Sequence, residues 1–333
     1  MEVVQCFAVR SQRRAPDRVM SGRSRYILRR VAGLVPLLLA VLFVVFSLLQ
    51  ITPGDPARAM AGHRSTLEEV AEVRTELGLD RPFFVQYVSY VVDAAQGDLG
   101  TSVRSRTPVT EIITSGIPLS LTLILLGSGL AMLIATPLAW WSATRRDRFA
   151  DHAIRAYSTV TLAVPMFWTG IVLLTAVALP TGWFPVTGYE GTLAERARAL
   201  VLPSVTIAIA QAPLVLRGLR AEFLRIQESD YIAVATASGV TGRRRLLRHE
   251  VPNALVPAVS LMAVSVPYML FGIVVVETTF GLPGIGQAVT MAVNTKDFPV
   301  VQGVTLIFAL VTVTTYLIAD IVYTLIDPRI ELR

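Results

Sequence analysis

The chain has 333 residues, 53% of them hydrophobic and 16% charged, against about 25% charged in an ordinary soluble domain. The deficit is concentrated in runs of about 20 residues with almost no ionisable side chain, the length that crosses ~30 Å of hydrocarbon, so a soluble single domain is excluded. The net charge is +6; a basic balance suits nucleic acid or a membrane surface, and placement along the chain decides between them.

Residues 1–19 are arginine-rich, show no apolar period and hold the lone cysteine, Cys6. One cysteine permits no intrachain disulfide. A disordered basic tail over 1–22 is expected, or a misplaced start codon ahead of Met20, which mass spectrometry of the native N-terminus distinguishes. The first apolar run, Val31–Ile51, belongs to a transmembrane helix within 23–51. It is too long for a signal-peptide core and lacks a small-residue cleavage site.

Residues 52–112 are too long for a simple connection and read as short helices outside the membrane. Thr66 and Glu69 have capping-box spacing ahead of a helix over Leu67–Leu77, with Gly78 as its C′ residue. Asp80 is placed to cap a second helix with Pro82 in its first turn, closed by Gly97. Thr107–Pro108 opens a third short helix with proline at N1. The second helix contains "FFVQYVSYVV". Its rings, Phe83, Phe84, Tyr87 and Tyr90, either pack against the outer ends of membrane helices or present a docking surface to an extracytoplasmic partner.

Five further runs follow: Ile117–Trp141, Ala156–Leu179, Leu200–Leu216, Pro257–Val276 and Val300–Ile318. Small residues (Gly127, Ser128, Gly129, Thr159, Thr161, Ser260, Ser265) suit close helix approach, and Pro137, Pro165, Pro213 and Pro267 are candidate kinks. Numbered from a cytoplasmic N-terminus, the inside segments hold 21 of the 30 basic residues. The first outside segment alone holds nine acids between Asp55 and Glu111. This positive-inside asymmetry puts both termini in the cytoplasm and speaks against nucleic acid.

Chemistry-bearing patterns are sparse. Only Glu277 and Asp320 edge the apolar runs. A mid-bilayer charge costs ~2.5–3.5 kcal/mol and is retained where a carrier couples to ions or protons, so a secondary carrier or charge-ringed channel is disfavoured. No nucleophile or acid–base cluster suggests a membrane enzyme. His63, His152 and His249 fall on separate segments without a carboxylate or thiol at ligand spacing, so no metal site is expected. The only lysine, Lys296, lies in "VNTKDF", outside any phosphate-binding glycine loop, and "GLPGIG" at 281–286 reads as a turn. Any ATP-driven work must therefore enter through another polypeptide, and no cofactor is expected in this chain.

The stretch "ESDYIAVATASGVTGRRRLLRHEVPNALVP", 228–257, interrupts the apolar chain with Arg243, Arg244, Arg245 and Arg248. Four arginines in the bilayer cost on the order of 10 kcal/mol, so the segment lies in water. Ser229 is a candidate N-cap, Asp230 suits a helix N-terminus and Gly239 a left-handed C′ position, giving a helix over 230–238. Tyr231, Val234, Ala235 and Ser238 share one face. So short a helix is marginal alone and needs a support, either its flanking helices or a groove on a partner; an ordinary solvated loop is the bland alternative.

This segment resembles the cytoplasmic "EAA" loop of binding-protein-dependent ABC importer permeases. Ala235 and Gly239 match the pattern, Val251–Pro252 stand at its Leu-Pro, His249 at its Ile, and Ala233 and Val234 replace its Glu and first Ala. "ITPGDPARAMAG", "LGLDRPFFVQYVSY", "GDLGTSVRSRTPVTEII", "PLSLTLILLG", "VPMFWTGIVLL", "VETTFGLPGIGQAV", "DFPVVQG" and "DIVYTLIDPRI" resemble, in order, the dipeptide/oligopeptide permease subfamily over residues 23–331. The resemblance implies an all-α polytopic fold of six transmembrane helices, the type I importer permease fold. Its type-1 transmembrane domain spans 113–326, with a coupling loop at 225–256 and a cytoplasmic end at 327–333. It further implies a second homologous permease, two cytoplasmic ATPase subunits that carry ATP and Mg, and an extracytoplasmic substrate-binding protein. Asp230, Tyr231, Val234, Ala235 and Gly239 would form the coupling helix in an ATPase groove. The four arginines would meet ATPase carboxylates or lipid headgroups. Permeases of nearly this pattern also serve nickel complexes, glutathione or other small solutes.

Overall fold

The computed structural model describes residues 33–47, 56–61, 65–76 and 78–326. The basic tail 1–22, His63 and the end 327–333 lie outside them. Among the described residues the structure is helical, with one isolated antiparallel bridge between Thr101 and Pro108.

Helix α1 (Gly33–Ser47) covers the described part of the first apolar run. Short helices α2 (Pro56–Ala61) and α3 (Leu67–Glu76) follow. The α3 capping box forms as its spacing predicts: the Thr66 amide donates to Glu69 Oε2 at 2.8 Å and the Glu69 amide to Thr66 Oγ1 at 3.3 Å. Gly78, at φ +64°, ends the turn. Helix α4 (Phe83–Ala95) starts at Phe83 with Pro82 as its N-cap residue, so Asp80 does not cap it and Pro82 stands just outside the first turn.

Two long helices form the centre, α5 (Val109–Thr144) and α9 (Leu193–Gln227), 36 and 35 residues. At 1.5 Å per residue each spans about 50 Å, well beyond the hydrocarbon thickness. The third short helix expected at Thr107–Pro108 is instead the first turns of α5, with Pro108 at the N-cap. Pro118 removes one internal hydrogen bond without breaking the helix. Helix α9 starts with a second capping box, Thr192 with Glu195. The two helices pack closely through small residues, Ala131 against Ala208 and Ala212. A Cβ on Gly127 would lie 2.5 Å from Ile207 Cγ2. Gly129, by contrast, faces open space, so it is not a packing glycine.

The third apolar run is not one straight span. Helices α6 (Phe149–Ala163) and α7 (Met166–Leu173), continued by a π turn (Leu174–Ala178) and α8 (Leu179–Thr181), bend by 98° at Val164–Pro165. Pro165 pushes the preceding residue out of the helical region, and Val164 is extended, with ψ 122°. Pro137, Pro213 and Pro267 lie within continuous helices.

After α9 come α10 (Asp230–Ala237), α11 (Gly242–Arg245), a π turn (Leu246–Glu250) and α12 (Val251–Phe280). "GLPGIG" is the expected turn: Gly281, at φ +62°, closes α12, and α13 (Ile285–Thr295) folds back at 78°. Helix α14 (Phe298–Ile326) completes the described chain. Among the described residues, three helices are long and apolar enough to cross a membrane, or five if each bent pair is one span; α1 is described over a shorter apolar stretch. Five of the six predicted runs lie on this set; the first, Val31–Ile51, coincides with α1 over 33–47, and its ends lie outside the described residues. The α12–α13 turn is pinned by Glu277, which is buried and accepts from the Gly286 amide at 2.7 Å, the Gln287 amide at 3.1 Å and the Ser120 hydroxyl of α5.

Candidate functional site

The predicted residues at 230–248 come together at the basic end of the bundle; the four aromatic candidates do not join them. Helix α10 begins one residue after Ser229, whose carbonyl accepts from the Ile232 and Ala233 amides at 3.1 and 3.2 Å. The Ser229 side chain makes no cap; its hydroxyl donates to the Ile226 carbonyl instead. The helix is one residue shorter than expected, with Ser238 at the C-cap. Gly239 adopts φ +78°, the Val240 amide reaches the Ala235 carbonyl at 3.1 Å and the Gly239 amide reaches Thr236 at 3.0 Å. Those two bonds make a Schellman stop, in which only glycine is free of backbone strain.

Tyr231 and Val234 stay 44% and 65% exposed, and Ala235 is half-buried. The support is Ile232, 3% exposed, which belongs to a buried cluster that also contains Phe223 and Ile226 of α9, Ala139 and Ala143 of α5, and Ala254 of α12. Burying such a side chain contributes about 1.5–3 kcal/mol, enough to hold an otherwise marginal helix. Sequence periodicity assigned the apolar face to Tyr231 and Val234; Ile232 is a single apolar residue on the opposite side, a signal visible only once a surface for it exists. Ile232→Ala is expected to cost about 2–4 kcal/mol of local stability, read as faster amide exchange across 230–239 with little change in the central α5–α9 pair.

The arginines divide. Arg243, Arg244 and Arg248 are exposed, whereas Arg245 turns inward. Its Nε donates to Glu250 Oε1 at 2.7 Å and its Nη1 to Thr236 Oγ1 at 3.1 Å. Trp140 Nε1 of α5 and Gln227 Nε2 of α9 each donate to Glu250 Oε2 at 3.0 Å. Asn253 Nδ2 of α12 reaches the Tyr231 hydroxyl at 3.4 Å. Nearby, Asp151 of α6 is fully buried and receives Arg220 of α9 in a two-pronged contact, Nε to Oδ1 and Nη2 to Oδ2, both at 2.8 Å. Ser142 of α5 also donates to it, and the Asp147 amide does so at 3.0 Å.

The candidates Phe83, Phe84, Tyr87 and Tyr90 lie on α4 and face α1. Phe43 meets Phe83 edge-on at 5.7 Å, Phe84 in a stack at 6.3 Å and Tyr87 at 5.5 Å; Phe46 meets Tyr90 at 6.4 Å. The Tyr87 hydroxyl donates to the Leu39 carbonyl at 2.7 Å. Burial pushes the Tyr90 hydroxyl up to about 12. Phe84 remains 68% exposed. Among the described residues, no group of three or more His, Cys, Asp or Glu side chains could hold a metal ion.

These features define a polytopic helical membrane protein with a short, internally anchored helix offered from its basic end. The chain belongs to the family of binding-protein-dependent transport system inner membrane components. That family's model matches residues 135–332, and the model of its N-terminal part matches 23–124. Three relatives are similar over 92% of this chain and 99% of their own. They are a probable peptide ABC transporter permease protein, y4tP, of Sinorhizobium fredii, 34% identical; the oligopeptide transport system permease protein AppB of Bacillus subtilis, 35%; and the glutathione transport system permease protein GsiC of Salmonella choleraesuis, 34%. The protein is thus a multi-pass inner-membrane permease.

Proposed function

We propose that this permease forms the transmembrane pathway of an ATP-driven importer for di- or oligopeptides delivered by an extracytoplasmic binding protein. The observation that carries the reading is α10: an exposed apolar face, Tyr231 and Val234, on a helix clamped from behind by Ile232. Such a helix suits a groove on a cytoplasmic ATPase, with Arg243, Arg244 and Arg248 available to ATPase carboxylates or lipid headgroups. Closure of two ATPase subunits on ATP and Mg would displace α10, and the bundle, paired with a second homologous permease, would pass between inward- and outward-facing states. No catalysis is assigned to this chain. Phe84, with Phe83, Tyr87 and Tyr90 behind it, is the candidate contact for the binding protein at the other end. The peptide substrate rests on the names of the y4tP and AppB relatives. Glutathione is the second reading, supported by equal identity to GsiC.

The test is reconstitution with the partner subunits in proteoliposomes. ATP-dependent uptake of labelled peptide is expected, together with co-purification of two ATPase subunits. Tyr231→Ala combined with Ala235→Glu is expected to lower uptake at least about tenfold, since two such contacts carry several kcal/mol, while the protein stays in the membrane. Solute movement by the chain alone down an ion gradient would overturn the reading.

A further inference from the structure

The loop pattern places its acid at the position held here by Ala233, on α10 itself. The structure contains a different acid in the same segment. Glu250 is fully buried, and its two oxygens receive donors from three elements: Trp140 on α5, Gln227 on α9 and Arg245 on α11. A buried carboxylate is tolerated only with such partners. Arg245 then continues the chain of contacts to Thr236 on α10, whose hydroxyl donates to the Ile232 carbonyl at 2.7 Å.

Geometry gives this chain a direction. Ile232 and Thr236 are four residues apart and share a face; each is two residues, about 200° around the helix, from Val234. The tether therefore grips α10 on the side opposite its exposed apolar face. Glu250 also closes the π turn Leu246–Glu250. From there its carboxylate is directed at Trp140 of α5 and Gln227 of α9 rather than at solvent.

We infer that Glu250, acting through Arg245, is the positioning residue that fixes α10 to α5 and α9, so that a displacement of α10 is passed to the membrane helices as one body. This rests on the importer reading for its functional consequence, though not for its geometry. Glu250→Gln leaves the volume unchanged but removes the charge and turns an NH₂ group toward a donor. Arg245→Met breaks the same path one contact further on.

Two measurements test it. In a Cys6→Ser background, spin labels at Ala237→Cys and Arg148→Cys report the distance from α10 to the α5–α6 turn in the full chain in nanodiscs. One narrow distribution is expected for the parent. Glu250→Gln and Arg245→Met should each broaden it at least about twofold by local loosening, and the double variant no further. In the assembled transporter, solute moved per ATP should fall about tenfold with each variant, as expected for loss of a charge-assisted hydrogen bond, at unchanged KM for ATP. An unchanged distance distribution and transport ratio in Glu250→Gln overturn the assignment. Absence of ATP-dependent uptake in the parent overturns the importer reading instead and leaves the distance test intact.

Discussion

Arg220→Ala is expected to destabilise the protein by about 3–5 kcal/mol, the usual consequence of removing one partner of a buried ion pair. Asp151 is 0% exposed and takes both prongs of the Arg220 guanidinium at 2.8 Å. Once Arg220 is gone, the carboxylate keeps Ser142 and the Asp147 amide, and Arg155 at 3.6 Å. Arg155 is 43% exposed along its side chain, so solvent screens it and it replaces little of the lost attraction. Asp151→Ala leaves the guanidinium unpaired and is expected to cost somewhat less, because Arg220 is only partly buried. The double variant should be more stable than the sum of the two losses, since neither charge is then stranded. Thermal unfolding in detergent across this cycle checks the result, with Arg155→Ala as a control that should change stability by under about 1 kcal/mol. The pair joins α6 to α9 beside the α5–α6 turn, so its loss also loosens the frame beneath α10.

Gly286→Ala is the second change with a large expected effect. A Cβ there would stand 2.6 Å from Val274 Cα and 2.8 Å from Val274 N, backbone atoms of α12 that cannot swing aside, and 2.9 Å from Glu277 Oε2. Helix α13 must move off α12, and Glu277 then loses the amides of Gly286 and Gln287. Overpacking alone costs about 1–3 kcal/mol, and the stranded carboxylate adds about 1–3 kcal/mol more. A lower melting temperature and loss of ATP-dependent uptake are expected. Gly129→Ala is the matched control: nothing lies within 4 Å of the new methyl group, so stability should be unchanged or rise by up to about 1 kcal/mol from better helix propensity.

Local signals carried much of this description. The Thr66–Glu69 box, the stopping glycines 78 and 239 and the turn at 281–286 each depend on residues within one or two turns, and each apolar run on about 20 consecutive residues. The Thr192–Glu195 box has the same spacing as Thr66–Glu69 and was equally available in the sequence. The acids beneath the site were not. Glu250 sits beside four arginines in a hydrophilic segment and reads as solvated; its burial depends on Trp140, 110 positions earlier. Asp151 and Arg220 are 69 positions apart, and nothing in either neighbourhood names the other.

Apolar length and cap spacing by themselves determined that the chain lives in a membrane and that a short helix starts at Asp230 and is stopped by Gly239. These are one-dimensional consequences of solvation and backbone sterics. Only the tertiary structure decided which side of that helix is buried, which arginine turns inward and which acid receives it. Those choices are set by the packing of α5, α9 and α12 against one another, where a carboxylate is stable only if donors from several helices converge on it.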